Sequence, residues 1–369
     1  MKLEDLVQDK KKNQGYFKPE DYGHDFPRIP TGIFALDYSL GGGFPACVSS
    51  SIWGPPSAGK TMVASCALAT AQKICWTCFE YLDECTCGKY DKRKPVIIQN
   101  ERFDLDWASK FSVDVDDLYL FESDIGEETV DIIYNTLNAE DCGLVLLDSM
   151  SRVIPESEIV ESASKNCMGD RAQLHTRLMN KVKSSLISQK RKGNNVAFIT
   201  IAQQRAKIGG NNRGPTEEMQ GCFAAKHDFH LTTRLSQIKT DYVDKETELP
   251  IIGKFKSNIT SPGAKRKIFT MKGTAEFYIQ LKNTGQQPVG TVLDFKTVFK
   301  YADRVKLIDR GRWSSIYDDM KFKSKTEMMK YWEENPDYYR SLKKKIVKYY
   351  CDAEKGLIEM PEKQEVEEE

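Results

Sequence analysis

The sequence is short of several things, and each shortage removes a class of protein. It has no run of roughly 18 apolar residues, so no membrane-spanning helix is expected. The opening segment MKLEDLVQDKKKNQG lacks the apolar core of a secretory signal, so a cytoplasmic chain is expected. Formal net charge is zero, with 54 Lys and Arg against 54 Asp and Glu, which argues against wholesale electrostatic wrapping of nucleic acid but leaves room for local basic patches. There are only 4 histidines, and none sits in a ligand pattern. No internal repeat is visible. Hydrophobic residues make up 40% and charged residues 29%, which rules out collagen and wholesale disorder. At roughly 150 residues per domain, 369 residues imply two or three domains. Cysteine is not scarce. Ten of them in a chain without a signal read as reduced thiols and a metal site, not as disulfides.

Along the chain, residues 1–28 are polar, with one apolar stripe (Leu3, Leu6, Val7), and read as a small helix and an arm. In TGIFALDYSLGGGF, Ile33, Leu36 and Leu40 share a helix face that Gly41–Gly43 ends. CVSSSIW (47–53) reads as a strand running into Gly54-Pro55-Pro56, and TMVASCALATAQ as a packed helix after it. VIIQNE (96–101), LYLFES (118–123), GLVLLDS (143–149) and VAFITIAQ (196–203) read as buried strands, with helices between them. Alternating strands and helices with continuous apolar strands predict an α/β fold with a mainly parallel, doubly covered sheet. From about 230, FHLTTRLSQI, IIGKFKSNIT, KRKIFTM and AEFYIQLKN read as antiparallel additions. After about 300 the chain turns helical and rich in Lys, Tyr and Trp, and PEKQEVEEE is an acidic tail expected to be disordered.

GPPSAGKT, residues Gly54, Pro55, Pro56, Ser57, Ala58, Gly59, Lys60 and Thr61, matches the P-loop pattern. Backbone N–H groups of such a turn, with the helix N-terminus behind them, cradle phosphates. Lys60 would supply charge to the β- and γ-phosphates, and Thr61 a hydroxyl to Mg²⁺. Asp148 ends the apolar strand LVLLD, where an acid orients the Mg²⁺ shell. Glu101 closes VIIQNE and is placed to activate water, a plain surface Glu being equally compatible with the sequence. Gln203 and Gln204 close another strand, where an amide can sense the γ-phosphate.

The whole set resembles the RecA family of DNA recombinases over about residues 28–350. RIPTGIFALDYSLGGGFP with GPPSAGKT is similar to the family's entry to its core. LVLLDSMSRVIPESEIVES with MGDRAQLHTRLMNKVKSSL is similar to its Walker B strand, first DNA loop and next helix. VAFITIAQQRAKIGG with NNRGPTEEMQGC is similar to its sensor strand and second DNA loop, and VKLIDRGRWSSI with MMKYWEENPDYYRSLKKKIVKYY to the C-terminal domain of bacterial-type members. The resemblance implies a RecA-type P-loop NTPase core (29–299) with a mainly parallel central sheet. It also implies a short N-terminal arm for polymerisation (1–28), a small α/β C-terminal domain (300–358) and an acidic tail (359–369). Lys60 and Thr61 match the family's P-loop pair, Glu101 its water-activating glutamate, and Gln203 the glutamine coupling ATP to the second DNA loop. Asp104 and Trp107 fall near its adenine-contacting pair, across a one-residue gap. Bacterial-type members reach the neighbour's γ-phosphate with a Lys-x-Lys pair. Here Lys256 fits the first position and Asn258 occupies the second, with Lys226 or Lys254 as compensating charges.

The stretches 157–170 and 204–222 are polar, cannot pack a core, and follow the Walker B and sensor strands. They are expected to hold single-stranded DNA. Met168, Ile208 and Met219 are candidates to wedge between bases, with Gly169, Gly209 and Gly210 in the loops. Arg171, Arg177, Arg205, Lys207 and Arg213 are candidates for phosphates. Each Arg has a solvated helix face as its plain alternative.

Cys75, Cys78, Cys85 and Cys87 form C-x₂-C-x₆-C-x-C inside an insertion (75–95) that the family generally lacks. Four thiolates in so short a span can complete a structural Zn²⁺ shell. Redox thiols and unrelated cysteines are the alternatives. Lys89, Lys92, Arg93 and Lys94 follow, and would touch DNA or a neighbour, or merely solvent. The other six cysteines (47, 66, 142, 167, 222, 351) are read as scattered. Lys343, Lys344, Lys345 and Lys348 form a basic run that would gather duplex DNA.

The expectation is a cytoplasmic ATP- and Mg²⁺-dependent recombinase, of a bacterial cell or a virus-infected host. It would form helical filaments on single-stranded DNA and pair it with a homologous duplex. A RecA-fold motor or helicase, or a regulatory ATPase, is the alternative, and a non-catalytic mediator a second one.

Overall fold

The computed structural model describes residues 26–359, apart from 161–168, 207–216, 221–226, 241, 244–249, 261–269, 271–272, 286, 311–314 and 318–319. The N-terminal stripe, most of the arm, the acidic tail beyond 359, Cys167, Cys222 and Lys226 therefore lie outside the described residues.

The chain enters through β1 (Arg28–Ile29) and helix α1 (Phe34–Leu40), which Gly41 closes in the left-handed conformation. Strand β2 (Phe44–Pro45) pairs antiparallel with β1. The core then alternates strands and helices. They are β3 (Ser49–Gly54), α2 (Lys60–Ala71), β4 (Lys94–Gln99), α3 (Leu105–Ser109), β5 (Tyr119–Glu122), α4 (Gly126–Leu137) and β6 (Cys142–Asp148). After β6 come a 3-10 turn (Met150–Arg152), α5 (Glu156–Val160), α6 (Asp170–Arg191) and β7 (Ala197–Ala206), then the strands β8 (Glu217–Met219), β9 (Leu231–Ile238), β10 (Ile252–Thr260) and β11 (Thr274–Gln280). These strands make one sheet in the order β11-β10-β9-β3-β7-β6-β4-β5, with β8 attached to β7.

The six strands from β9 to β5 run parallel. Strand β9 therefore departs from the antiparallel expectation, and only β10 and β11 turn back on their neighbours. The reason is that β9 lies against β3, on the side away from β7, and continues the parallel set. Alternation along the central strands feeds two cores. Leu144 and Leu146 of β6 join the cluster under α2, whereas Val145 and Leu147 join the one under α4 and α6. Strand β5 was expected to be buried. It is the sheet edge, and all four of its residues are exposed.

A third apolar cluster joins α7 (Phe295–Arg304), strand β12 (Met320–Phe322), α8 (Lys325–Glu334) and α9 (Pro336–Glu354). Two residues of α1, Phe34 and Tyr38, belong to it, and Tyr38 packs edge-on against Tyr301 and Tyr350. The C-terminal unit is thus joined to the core through α1. Asp294 reinforces the joint by accepting from Tyr339 Oη at 2.6 Å and from the Phe34 N–H at 3.3 Å.

Candidate nucleotide site and cysteine centre

Register alone assembles the first site. Gly54 is paired with Gln203, Asp148 with Gln99 and with Ile201. The carboxyl ends of β3, β4, β6 and β7 therefore finish level, and the residues there face one crevice. Gly54 ends β3, and Gly59 precedes α2 at φ 83°. A Cβ on Gly54 would stand 2.2 Å from the Leu235 carbonyl oxygen, so only glycine lets the turn leave the sheet. Lys60 Nζ donates to the carbonyls of Gly54 (3.1 Å) and Pro55 (2.6 Å), folding over the loop it belongs to.

Electrostatically the crevice sets Asp148 and Glu101 against Lys60 and Arg152. Burial pushes the Asp148 carboxyl up to about 7, the nearby Glu101 adds to this, and Lys60 opposes it. Burial also lowers the Lys60 ammonium, which Asp148 and Glu101 partly restore. No hydrogen bond reaches the Asp148 carboxylate among the described residues. A divalent cation fits what this chemistry leaves open: a buried carboxylate that no described residue hydrogen-bonds, beside a turn whose N–H groups suit phosphate.

Glu101 sits just beyond β4, held from two sides. Gln203 Nε2 donates to its Oε1 at 3.0 Å and Arg152 Nε to the same oxygen at 2.8 Å. The Gln203 backbone N–H in turn donates to Ser151 Oγ at 3.0 Å. Ser151 and Arg152 were missed in the sequence, where a short turn after a strand carries no periodic signal. Asp104 caps α3, accepting from the Trp107 N–H at 2.8 Å, and Trp107 packs against Phe111. Lys256 is not brought to the P-loop of its own chain. Along β10, Phe255 points inward beside Gly59, while Lys254, Lys256 and Asn258 share the other face, both lysines near Glu276.

The expected DNA loops are only partly loops. Residues 157–160 lie in α5, and 204–206 pair antiparallel with 217–219. Met219 is not a base wedge. It is 5% exposed and its sulfur accepts from Ser51 Oγ, because it faces the core on a paired strand. Arg205 pairs with Glu218, and Arg171 with Glu158. Arg177 is exposed on α6, and Gly169 precedes that helix at φ 100°. A further cluster escaped the sequence reading: Arg234 lies over Trp53, donates to Gln204 and pairs with Glu217. Met168, Lys207, Ile208, Gly209, Gly210 and Arg213 lie outside the described residues.

The cysteine centre occupies the opposite end of the strands, between α2 and β4. The four sulfurs of Cys75, Cys78, Cys85 and Cys87 lie within 4.8 Å of one another. Three of the separations are 3.7, 3.6 and 3.4 Å. A tetrahedron with Zn–S of about 2.3 Å has edges of about 3.8 Å, so the spacing fits zinc. Although burial pushes the Cys75 thiol up, N–H groups of Cys78, Thr77 and Asp91 more than offset this and bring it to about 6. Asp91 anchors the insertion by a bidentate pair with Arg93, which reaches on to the Asn195 carbonyl. Arg93 is 6% exposed, and Lys92 and Lys94 pair with Asp117. Arg93 therefore braces the fold, whereas Lys92 and Lys94 stay at the surface. In α9, Lys343 and Lys344 also turn inward, leaving Lys345 and Lys348 exposed.

No helix among the described residues is long and apolar enough to cross a membrane. A family model described as the RecA N-terminal domain matches residues 18–268. Protein RecA of Acholeplasma laidlawii (strain PG-8A) is 29% identical over 324 residues, covering 88% of this chain and 87% of that protein. Protein RecA of a Picosynechococcus species is 28% identical over 319 residues, covering 86% and 82%. Protein RecA of Lactobacillus acidophilus is 27% identical over 338 residues, covering 91% and 84%. Strand register, P-loop and the match over most of the sequence agree: the chain belongs to the RecA family and is an ATP-dependent DNA recombinase.

Proposed function

We propose that subunits of this chain assemble head to tail on single-stranded DNA, with ATP between neighbours, and present the bound strand to a homologous duplex. A heterologous interface that does not close gives such a helix of subunits. Residues 54–61 hold the phosphates, with Lys60 turned from the loop carbonyls onto them. Thr61 and Asp148 would hold Mg²⁺, which when bound supplies positive charge to the phosphate oxygens. Glu101 takes the proton of the attacking water. Asp104 and Trp107 flank the base, and Lys256 reaches the nucleotide of the adjoining subunit.

The observation that carries the coupling is the Gln203 to Glu101 hydrogen bond of 3.0 Å. Gln203 stands on β7, three residues before that strand ends at Ala206. An amide that leaves Glu101 for a γ-phosphate pulls on that strand end. Arg171, Arg177 and Arg205 are the cations that would meet the DNA backbone, two of them by exchanging a carboxylate for a phosphate. The four-cysteine centre holds one structural zinc, and the chain works in the cytoplasm.

The test is ATP hydrolysis with and without single-stranded DNA, with electron micrographs of the same mixtures. DNA-stimulated turnover and regular helical filaments are expected. DNA-independent turnover with closed rings would transfer the chain to the motor or regulatory class.

A further inference from the structure

The six residues between Cys78 and Cys85 include three acids, Glu80, Asp83 and Glu84. All three face one helix. Arg340 Nη2 of α9 lies 2.6 Å from Asp83 Oδ2 and 3.3 Å from Glu84 Oε1. Its guanidinium stands 4.0 Å over the ring of Tyr81. Lys344, one turn further along α9, bonds Glu80. Lys343, between them in sequence, goes elsewhere, donating to the Gly32 carbonyl at 2.7 Å. Among the described residues the C-terminal unit thus touches the core through α1 with Asp294, through Gln287 to Glu333, and through the cysteine loop.

The cysteine-loop attachment is anchored on its inner side, where Trp76, Phe79 and Tyr81 are buried in the core cluster and Ile74 bridges Tyr81, but its acidic outer side has little of its own to hold it in shape. A handful of backbone bonds define the loop, among them Phe79 N–H to the Cys75 carbonyl and Cys75 N–H to the Glu80 carbonyl. Phe79, directly after Cys78, sits at φ 59°, a conformation that an aromatic residue keeps only when its surroundings impose it. Single exposed ion pairs are worth at most about 1 kcal/mol, so three scattered acids would not fix a helix. Three acids held in one array by ligands on either side would. A zinc tetrathiolate also carries a net charge of about −2, which adds to the field that the two cations meet.

We infer that the cysteine loop is a metal-dependent docking surface whose partner is helix α9 of the same chain. With zinc bound, the acids are gathered and the cysteine loop fixes α9 to the ATPase core. With zinc gone, the acids disperse, and α9 keeps its contacts with α1, Gly32 and Asp294. This rests on the zinc reading above.

The test uses the full-length protein. Zinc content is measured by elemental mass spectrometry, and Lys344 reactivity with an amine-acylating reagent by peptide mass spectrometry, Lys348 serving as the exposed reference. Stripping zinc with a thiol-competitive chelator is expected to raise Lys344 labelling about tenfold, the factor that about 1.4 kcal/mol of lost docking gives, and zinc added back should reverse it. A chain with Glu80→Gln, Asp83→Asn and Glu84→Gln should keep its zinc and show the same rise. A protein purified without zinc overturns the metal reading and the docking control together. Bound zinc whose removal leaves Lys344 labelling unchanged overturns the docking control alone. So does a triple variant that labels like the parent.

Discussion

At the carboxyl ends of the strands, Gly54, Glu101, Asp148 and Gln203 are placed by the register of β3, β4, β6 and β7. At the amino ends, residues 72–93 add no strand to the main sheet, and the spacing of four sulfurs together with buried Trp76, Phe79 and Tyr81 defines their geometry. The nucleotide crevice therefore inherits its precision from dozens of buried residues, and changing one polar group leaves the frame intact. The cysteine loop concentrates its geometry in a few groups, so removing one disturbs everything that depends on it. Chemistry can be altered without cost to the fold at the first end, and scarcely at the second.

The comparison is sharpest with Glu101→Gln. It removes the base but keeps acceptors for Gln203 and Arg152, so turnover should fall by about 10²–10⁴ with the melting temperature unchanged. Steady-state hydrolysis beside a thermal melt checks this, and a large drop in melting temperature would break the contrast. At the other end, Arg93→Ala removes a buried guanidinium and strands Asp91. Because Asp91 is partly hydrated, about 2–3 kcal/mol of lost stability is expected, read by denaturant melts, with little direct effect on nucleotide affinity. The smallest effect concerns acidity. Asp148 titrates near 7 in the nucleotide-free protein, and a cation binds only its ionised form. The magnesium-dependent gain in nucleotide affinity should therefore weaken as pH falls below about 7, by at most about tenfold per unit. Fluorescent-nucleotide titrations between pH 5.5 and 8 (an order-of-magnitude window around that value) would show the slope. A flat profile would mean that Asp148 is already ionised.

The crevice was legible because its parts are written locally. A glycine turn after an apolar strand, and acids at strand ends, state their positions in five or six letters. The parallel set was legible for the same reason, from continuous apolar runs. What stayed hidden depends on partners distant in sequence. Met219 looked like a loop residue because the pairing with Gln204, which buries it, spans 15 positions. Arg93 and Lys344 looked like basic patches because Asn195 and Glu80, their partners, lie far along the chain. Strand β5 looked buried because its letters are apolar. Its place at the sheet edge is a matter of topology, which composition does not encode.

The short ladder between β7 and β8 has one more consequence. Ala206 stands opposite Glu217, so two residues separated by ten in sequence are neighbours in the sheet. Bringing together the ends of a free chain of that length costs about 2 kcal/mol in lost arrangements. Folding has already met that cost through the backbone pairing of 204–206 with 217–219. An interaction that needs Ala206 and Glu217 side by side thus finds them already joined, and less of its binding energy goes into shaping the protein.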